Sequence, residues 1–578
     1  MADTLIRMIH AVRAYMGGDG GLIAPQIELS MFALGILLID FWADARSRWF
    51  NPALALTGTV ASGVTVWQLH AKVASRGILL GFQNSIVVDP FFLFFAAIFL
   101  AATALTILLS VRYMAIERED HGEYYGLMLL ACAGMMFMAS GIDLVVLFLG
   151  LETMALSFYV LTGFLRRERR SNEAALKYVL LGAFSSGILA YGFSLLYGMS
   201  WLPRSGSSTN IGQIGYALAA RLDMTEQAAQ LIARSRQTGP LAERARQIVE
   251  SQLGPAFHPY IFQILPMVAF VTVAAGLFFK VAAVPFHQWA PDVYEGAPTP
   301  ITAYVSVASK TASFALLLRV FTAMFGDPRL HDYWVYLVAG VAVASLTWGN
   351  FAAITQTNVK RLLAYSSIAH VGYILLGLVA ANDTGYEGIA YYLFVYAFMT
   401  TGAFAVIILL RRQGLIGDEL EDLNGLYQRS PGAALLLLIF MLSLAGIPPT
   451  AGFMGKYFIF LALIETKHPV LAVFGALYIV PALYYYFRIV VHAWMKQPGE
   501  APRPVVSAGQ AVALTAAVFV SLAAGLYPEP FATRALRLWA RPINPATMNL
   551  PNRRESLSAS RGTLLWRWSF RSSPWPPS

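Results

Sequence analysis

The 578-residue sequence is poor in charge and almost free of cysteine. Asp, Glu, Lys and Arg make up 13% of the residues, whereas an ordinary soluble domain carries roughly 25%. Hydrophobic residues make up 57%, which excludes a soluble globular protein and predicts a polytopic membrane protein. The single cysteine, Cys132, lies in the apolar run LLACAGMMF. Disulfides within the chain and cysteine metal sites are therefore excluded, and a buried thiol is expected.

Several kinds of chemistry have no motif in this sequence. The nine histidines show no pairing typical of metal ligands, and the glycines fall in apolar runs or turns rather than in a phosphate-binding loop. The net charge of +9 is concentrated in residues 541–578, where six arginines and one glutamate contribute +5, so nucleic-acid binding is not supported. The N-terminus lacks a signal-peptide core and cleavage site, and we expect the first span to remain in the mature protein.

Apolar windows of about 20 residues predict an all-α membrane protein with fourteen transmembrane helices. Their approximate bounds are 22–43, 53–71, 86–111, 124–140, 143–165, 174–198, 260–284, 300–323, 333–355, 362–381, 386–410, 432–463, 469–495 and 506–527. Outside one long loop and the tail, loops after odd-numbered spans hold fifteen lysines and arginines, and the other loops hold six. This bias places the odd-numbered loops in the cytoplasm and both termini on the periplasmic side.

Two segments do not fit a compact membrane core. Residues 203–258 form a long external loop in which MTEQAAQLIARSRQTGPLAERARQIVESQLG has the spacing of one or two amphipathic surface helices. The basic tail, 541–578, is rich in Ser, Arg, Pro and Trp. Such a composition predicts a disordered or interfacial segment.

The stretch Gly276–Pro300 combines a helix break with titratable side chains. Lys280 lies inside an apolar run, five residues before Pro285 and seven before His287. A charged side chain in a bilayer costs about 3 kcal/mol on insertion scales, proline breaks a helix, and irregular backbone at membrane depth requires protein or water beside it. We therefore interpret this stretch as a hydrated point inside the membrane. His287 is either a core histidine or a proton relay between Lys280 and Lys310, and its position after the break favours the relay.

Other charged side chains fall within the predicted spans. Glu152 is either a hydrogen-bonding group that specifies the fold or the ion partner of a lysine on a neighbouring helix. Lys310 and Lys456 lie mid-span, beyond easy reach of either membrane surface. Lys177 lies only about four residues into the sixth span, so extension to the cytoplasmic arginine cluster explains it as well as proton transfer does. His370 points into the membrane and is a candidate proton carrier of the second half.

Two of the predicted spans share an irregular pattern. The seventh carries Lys280 near a proline, and the twelfth reads LAGIPPTAGFMGKYF, with Pro448 and Pro449 before Lys456. Interrupted spans in corresponding positions are typical of inverted repeats. The predicted domains are residues 1–123 (helices 1–3), 124–323 (first repeat), 333–495 (second repeat), 506–540 (helix 14) and 541–578 (tail).

Five segments carry a resemblance to a known family. GLETMALSFYVLTGF, SNEAALKYVLLGAFSSGILAYGFSLLYG, FKVAAVPFHQWAPDVYEGAPTPITAYVSVASK, NVKRLLAYSSIAHVGY and LAGIPPTAGFMGKY together resemble the antiporter-like membrane subunits of respiratory complex I. The resemblance implies two inverted five-helix repeats, broken helices 7 and 12, and proton translocation coupled to quinone reduction elsewhere in the complex. It also implies membrane and peripheral partner subunits in a bacterial inner membrane, with NADH, flavin, iron–sulfur clusters and quinone bound outside this chain.

The same resemblance implies which residues transfer protons and where the chain departs from the family. The implied residues are the ion pair Glu152 and Lys280, the bridging Lys310, the second half-channel Lys456, His287 after the break, and the sixth-span Lys177. Residues 223–258 look like an insertion, and the tail has no counterpart in the family. Neither departure touches the implied residues.

Two other functions fit the same features. A subunit of a multisubunit cation/proton antiporter has the same fold and charges, but its operon lacks flavin and iron–sulfur subunits. A structural spacer of the membrane arm moves no ions, so neutralising Lys280, Lys310 or Lys456 would leave its proton yield unchanged.

Overall fold

The computed structural model describes residues 18–42, 49–201, 206–235, 259–411, 417–498 and 504–532, and these are almost entirely helical. The helices are α1 (Ala24–Trp42), α2 (Phe50–Arg76), α3 (Pro90–Glu117), α4 (Gly122–Ser140), α5 (Leu144–Thr162), α6 (Arg169–Met199), α7 (Ile211–Ser235), α8 (Pro259–Val281), α9 (Trp289–Gly296), α10 (Thr299–Tyr304), α11 (Lys310–Met324), α12 (Pro328–Ile354), α13 (Val359–Ala380), α14 (Asp383–Leu410), α15 (Leu426–Arg429), α16 (Pro431–Ala445), α17 (Ala451–Glu465), α18 (Pro469–Leu477), α19 (Ile479–Met495) and α20 (Ala508–Leu526). Short 3-10 turns cover Asp19–Leu22 and Leu420–Leu423. Strand β1 (Leu79–Gly81) pairs antiparallel with β2 (Ile86–Val88), with Leu79 opposite Val88.

Twelve helical segments among the described residues are long and apolar enough to cross a membrane, and each overlaps one of the predicted spans. The predicted second span is α2, which has 27 residues but is not among the twelve. The predicted twelfth span is divided into α16 and α17. The chain is thus a multi-pass membrane protein, while the total of fourteen spans and the inverted repeats stay predictions.

Polar side chains next to the apolar runs fix where several helices begin. Asp89 accepts a hydrogen bond from the backbone N–H of Phe92 at 2.8 Å, and Pro90 occupies the first position of α3. Asp143 caps α5 in the same way through Val145, again at 2.8 Å. Such caps satisfy backbone donors that the first helical turn leaves unpaired.

Two of the membrane helices are interrupted where the sequence predicts it. Helix α8 ends at Val281, Ala282 has a φ of 61°, the Val284–Pro285 peptide bond is cis, and α9 begins at Trp289. The backbone N–H of Val284, which no longer belongs to a helix, donates to Ser345 Oγ on α12 at 2.9 Å. This bond shows how protein contacts satisfy irregular backbone at membrane depth.

The second interruption separates α16 from α17. Gly446, just after α16, has a φ of 84°, and the Pro448–Pro449 peptide bond is cis. A third irregularity is a π-helical turn, Val305–Ser309, which joins α10 to α11 immediately before Lys310. No sequence pattern predicted this turn. Single π-turns inside helices are frequent at functional sites.

Burial within the bundle is uneven. The segment from α10 through α11, together with α13 and α14, is almost wholly enclosed by other helices, whereas a third or fewer of the residues in the apolar windows of α1, α18 with α19, and α20 are buried. Lys310 and His370 lie on the enclosed helices. These side chains are therefore held at the centre of the described bundle, away from its outer surface.

The long loop after α6 contains helix α7, whose second half, residues 224–235, begins the segment predicted to form surface helices. The first half of α7 precedes that segment, where the sequence predicts only a loop. Ile211, Ile214 and Ala217 are fully buried, and a Cβ at Gly215 would lie 2.0 Å from the carbonyl oxygen of Ala323 on α11. This half of α7 packs on α11 because it presents a small residue and apolar side chains to that helix. Residues 236–258, most of the predicted insertion, and the tail 541–578 lie outside the described residues.

Candidate functional site

The predicted pair of Glu152 and Lys280 is present and is bridged by a serine. Lys280 Nζ on α8 lies 4.0 Å from Glu152 Oε1 on α5. Ser186 Oγ on α6 accepts a hydrogen bond from Lys280 Nζ at 3.2 Å and donates one to Glu152 Oε1 at 2.5 Å. Lys280 and Ser186 are buried, while the Glu152 side chain keeps 23% of its surface exposed. The ring of Tyr159 faces the lysine, 6.0 Å from Nζ.

Close packing of α6 and α8 brings this pair together. A Cβ at Gly276 would lie 2.7 Å from Cβ of Leu189, and a Cβ at Gly192 would lie 2.7 Å from Val273. Larger residues at either glycine would force the two helices apart. Gly276 is one helical turn before Lys280, so the point of closest approach is also the point at which the lysine meets Ser186.

Lys310 contacts hydroxyl and carbonyl groups of α13. Its Nζ donates to Ser367 Oγ, and lies 3.4 Å from the Ser367 carbonyl oxygen. Ser367 Oγ in turn lies 2.7 Å from the hydroxyl oxygen of Tyr396 and 3.3 Å from that of Tyr294. The ring of Tyr294 is 5.9 Å from Lys310 Nζ. Among the described residues no carboxylate lies within 4.0 Å of this lysine, so its charge is balanced by neutral dipoles alone.

His370 is held between two tyrosines. Its Nδ1 lies 2.6 Å from the hydroxyl oxygen of Tyr392, and its Nε2 lies 3.0 Å from that of Tyr486. The ring is also 5.2 Å from the ring of Tyr396, which belongs to the cluster around Lys310. Both ring nitrogens are therefore in contact with hydroxyl groups that can donate and accept hydrogen bonds.

Lys456, on α17, contacts the C-terminal end of α16, the preceding half of the broken helix. Its Nζ donates to the carbonyl oxygens of Ala445 at 2.8 Å and of Leu444 at 3.5 Å, the last residues of α16. Tyr373 places its ring 4.6 Å from the same nitrogen. The free carbonyls and the dipole at a helix C-terminus favour a cation. The break after Ala445 thus creates a cation-binding end inside the bundle, and no carboxylate among the described residues lies within 4.0 Å of it.

Gly446 is expected to be essential for the position of Lys456. A Cβ there would lie 3.0 Å from Nζ, and the φ of 84° disfavours any other L-residue. Replacing it with alanine should lower proton pumping about fivefold, because left-handed backbone costs about 1–2 kcal/mol and the ammonium group is displaced. The measurement is proton uptake by membrane vesicles that contain the assembled complex. Gly432→Ala is the matched control, since nothing lies within 4 Å of its Cβ; equal pumping by both variants would contradict the prediction.

His287 is buried after the first break, but it joins neither lysine directly. Its Nδ1 has no hydrogen-bond partner in the described part of the chain, and its ring packs 5.8 Å from that of Trp348. No hydrogen bond between His287 and Lys280 or Lys310 is present among the described residues. The predicted relay therefore requires a water molecule or a side-chain movement at this position.

Lys177 is not part of the buried group. Its side chain is 43% exposed, and its Nζ forms ion pairs with Asp292 at 2.8 Å and Glu173 at 2.9 Å. Arg361 binds the same Asp292 at 2.8 Å and Glu295 at 2.9 Å. These residues form a partly exposed ion network where α6, α9 and α13 meet, which agrees with the interpretation of Lys177 as a lysine that extends to charged groups at the membrane surface.

Two features of this region were not predicted from the sequence: the hydroxyl groups and one buried ion pair. The hydroxyls belong to Ser186, Ser367, Tyr392, Tyr396 and Tyr486. Serine and tyrosine are common in apolar helices, so only their proximity to a charged group, which is a tertiary property, distinguishes these five.

The missed ion pair joins α3 and α11. The guanidinium group of Arg319 binds both carboxylate oxygens of Asp89, at 2.9 and 2.7 Å, and its Nε donates to the Ala139 carbonyl oxygen at 2.6 Å. Both side chains are at least nine-tenths buried. Asp89 could have been recognised as a helix cap, but nothing in the sequence pairs it with Arg319.

Comparison with known proteins shows the family to which the chain belongs. Residues 141–233 and 251–480 match the family described as NADH:quinone oxidoreductase/Mrp antiporter, TM. The chain is similar to a chain of respiratory complex I from Thermus thermophilus with bound aureothin, with 29% identity, a TM-score of 0.68, and coverage of 88% of this chain and 98% of that one. It has the same fold as a chain of the Mrp complex from Dietzia sp. DQ12-45-1b, with 20% identity, a TM-score of 0.68, and coverage of 89% and 98%.

The chain therefore belongs to the NADH:quinone oxidoreductase/Mrp antiporter transmembrane family. Within the family, it is 48% identical over 529 residues to NADH-quinone oxidoreductase subunit N 2 of Solibacter usitatus (strain Ellin6076), which covers 91% of this chain and 98% of the relative. The resemblance to antiporter-like subunits of complex I is thus confirmed. Residues 234–250 are not matched by the family model, and they lie within the predicted insertion.

Proposed function

We propose that this chain is a proton-translocating membrane subunit of a bacterial NADH–quinone oxidoreductase and moves protons along its buried charged residues. The observation that carries the proposal is the contact series across α11, α13, α14, α16 and α17. It connects Lys310 through Ser367 and Tyr396 to His370, and His370 lies 6.4 Å ring to ring from Tyr373, which contacts Lys456. A buried lysine that lacks a carboxylate partner is costly in a membrane, which favours a functional role over a structural one.

The proposed mechanism begins at the Glu152–Lys280 pair. A movement or charge change in a neighbouring subunit separates the two groups, and Lys280 then releases its proton through His287 to Lys310. The proton continues past His370 to Lys456, which releases it on the outer side. Lys177 is the proposed supply of protons from the cytoplasmic surface. The two proposed repeats, 124–323 and 333–495, each provide one half of this path.

From the family resemblance, we propose that the redox chemistry of the complex takes place outside this chain. Among the described residues no group of three or more His, Cys, Asp or Glu side chains could hold a metal ion. We place NADH, flavin, iron–sulfur clusters and quinone in partner subunits, and this chain beside neighbouring antiporter-like subunits in the bacterial inner membrane. Both termini face the periplasm in this arrangement.

Replacing Lys310 with alanine tests whether the path is continuous. We expect about tenfold lower proton uptake and coupled turnover, since removing a positioned proton-transfer group typically costs at least that much. The measurement is the proton-to-electron ratio in inverted vesicles after native-gel confirmation of assembly. Ser313→Ala, which removes only a hydroxyl that binds the Ser309 carbonyl in the same helix, serves as the control.

The same experiment separates the alternatives. An unchanged proton yield in Lys310→Ala would identify the chain as a structural spacer. Cation-driven proton exchange in vesicles without NADH or quinone would identify a cation/proton antiporter component instead. Loss of both activities in an assembled complex supports the pump.

A further inference from the structure

We infer that Ser186 is the group through which Glu152 and Lys280 exchange a proton, so that the coupling element has three members. This inference rests on the proposed function. The direct Nζ–Oε1 distance of 4.0 Å is too long for a hydrogen bond. The two bonds that Ser186 makes, at 3.2 Å to Lys280 and 2.5 Å to Glu152, are both within hydrogen-bond distance.

The position of Ser186 follows from the helix that carries it. Helix α6 packs against both α5 and α8, the helices that bear the carboxylate and the lysine. The glycine contacts of Gly192 and Gly276 hold α6 and α8 close together. Ser186 therefore faces both charged groups from the intermediate helix, and its hydroxyl is buried away from competing water.

The transfer balances without another reactant. Lys280 Nζ gives one proton to Ser186 Oγ, while the hydroxyl proton of Ser186 passes to Glu152 Oε1. The products are a neutral amine and a protonated carboxyl group, and the serine is regenerated as a hydroxyl. The reverse transfer returns the proton to Lys280, from which it leaves through His287 to Lys310. A serine hydroxyl can take both roles at once because it has one donor hydrogen and two acceptor lone pairs.

The adjacent serine offers a matched control. Ser185 Oγ donates to the Gly276 carbonyl oxygen at 3.3 Å, so it also connects α6 to α8, but it contacts neither charged group in the described structure. Ser185→Ala and Ser186→Ala each delete one buried hydroxyl from the same helix. Only Ser186→Ala removes the hydroxyl that contacts both Lys280 and Glu152. Ser186→Thr retains the hydroxyl and provides the rescue.

The test compares these variants in the intact complex, in inverted vesicles, by coupled turnover, proton-to-electron ratio and the pH dependence of turnover. We expect Ser186→Ala to lower turnover about tenfold, because Lys280 and Glu152 each lose a hydrogen bond to a charged group, and to shift the pH of half-maximal turnover. Ser186→Thr should restore both properties to within about twofold, and Ser185→Ala should match the wild type. Among the described residues, Tyr159 also faces Lys280, so Tyr159→Phe is included to show that the shift does not come from its hydroxyl.

The outcomes are distinguishable. If Ser186→Ala behaves as Ser185→Ala does while Lys280→Ala loses pumping, the serine bridge is wrong and the pump remains. If Lys280→Ala keeps pumping, the proposed function fails and the inference with it. If Ser186→Ala does not assemble, Ser186→Cys replaces it, because a thiol fills the space but donates weakly. Wild-type turnover in the cysteine variant would then overturn the inference, and low turnover with a shifted pH profile would support it.

Discussion

Lys280→Ala should lower NADH–quinone turnover and coupled proton uptake about 100-fold while the complex still assembles, since a positioned proton-transfer group typically contributes 10²- to 10⁴-fold. The lysine is the only cation that the described structure places within 4.0 Å of Glu152. Without Lys280, Glu152 has no ion partner, so the proposed movement that separates the two groups releases no proton. Assembly should survive because the Glu152 side chain, 23% exposed, can take up a proton and become neutral.

Lys456→Ala should produce the same loss at the other end of the path. Its ammonium group is bound to the end of α16, and the described structure places no other cation there. The control is Lys467→Ala, an exposed lysine just beyond the end of α17. Turnover and the proton-to-electron ratio are measured in inverted vesicles, with assembly checked by native gel. Retention of both quantities in Lys280→Ala and Lys456→Ala would show that the chain is a scaffold.

Arg319→Ala should destabilise the subunit by about 3–5 kcal/mol, the usual cost of leaving one partner of a buried ion pair unpaired. The substitution leaves the Asp89 carboxylate buried, and it also removes the donor to the Ala139 carbonyl oxygen. The readouts are the amount of assembled complex and the unfolding temperature of this subunit in the purified complex. We expect both to fall strongly.

Two further variants define the cause of that loss. The double variant Arg319→Met with Asp89→Asn should recover much of the stability, because no buried charge then lacks a partner. Arg329→Ala removes a partly exposed arginine paired with Asp327 and Asp223, and should cost about 1 kcal/mol or less. If Arg319→Ala and Arg329→Ala behave alike, the buried pair does not contribute as proposed.

Apolar windows of about 20 residues predicted the membrane helices well because the bilayer imposes a minimum length on each span. The breaks near Pro285 and Pro448 were also predictable, since proline removes a backbone donor wherever the fold places it. The first half of α7 lies before the predicted surface helices, where the sequence predicts only a loop. Its burial depends on contact with α11, which apolar spacing along the chain does not reveal.

The sequence by itself determined the fold class through its apolar windows and the family through its motifs. It also determined which charged residues lie in the spans, because a lysine or glutamate among apolar residues is conspicuous at any depth of the membrane. Only the tertiary structure decided what each charge contacts. It placed Ser186 between Glu152 and Lys280, the carbonyl of Ala445 against Lys456, and Lys177 in a partly exposed ion network. The physical reason is that hydrogen-bond partners are selected by the distance between atoms on different helices, and helix packing sets that distance independently of position along the chain.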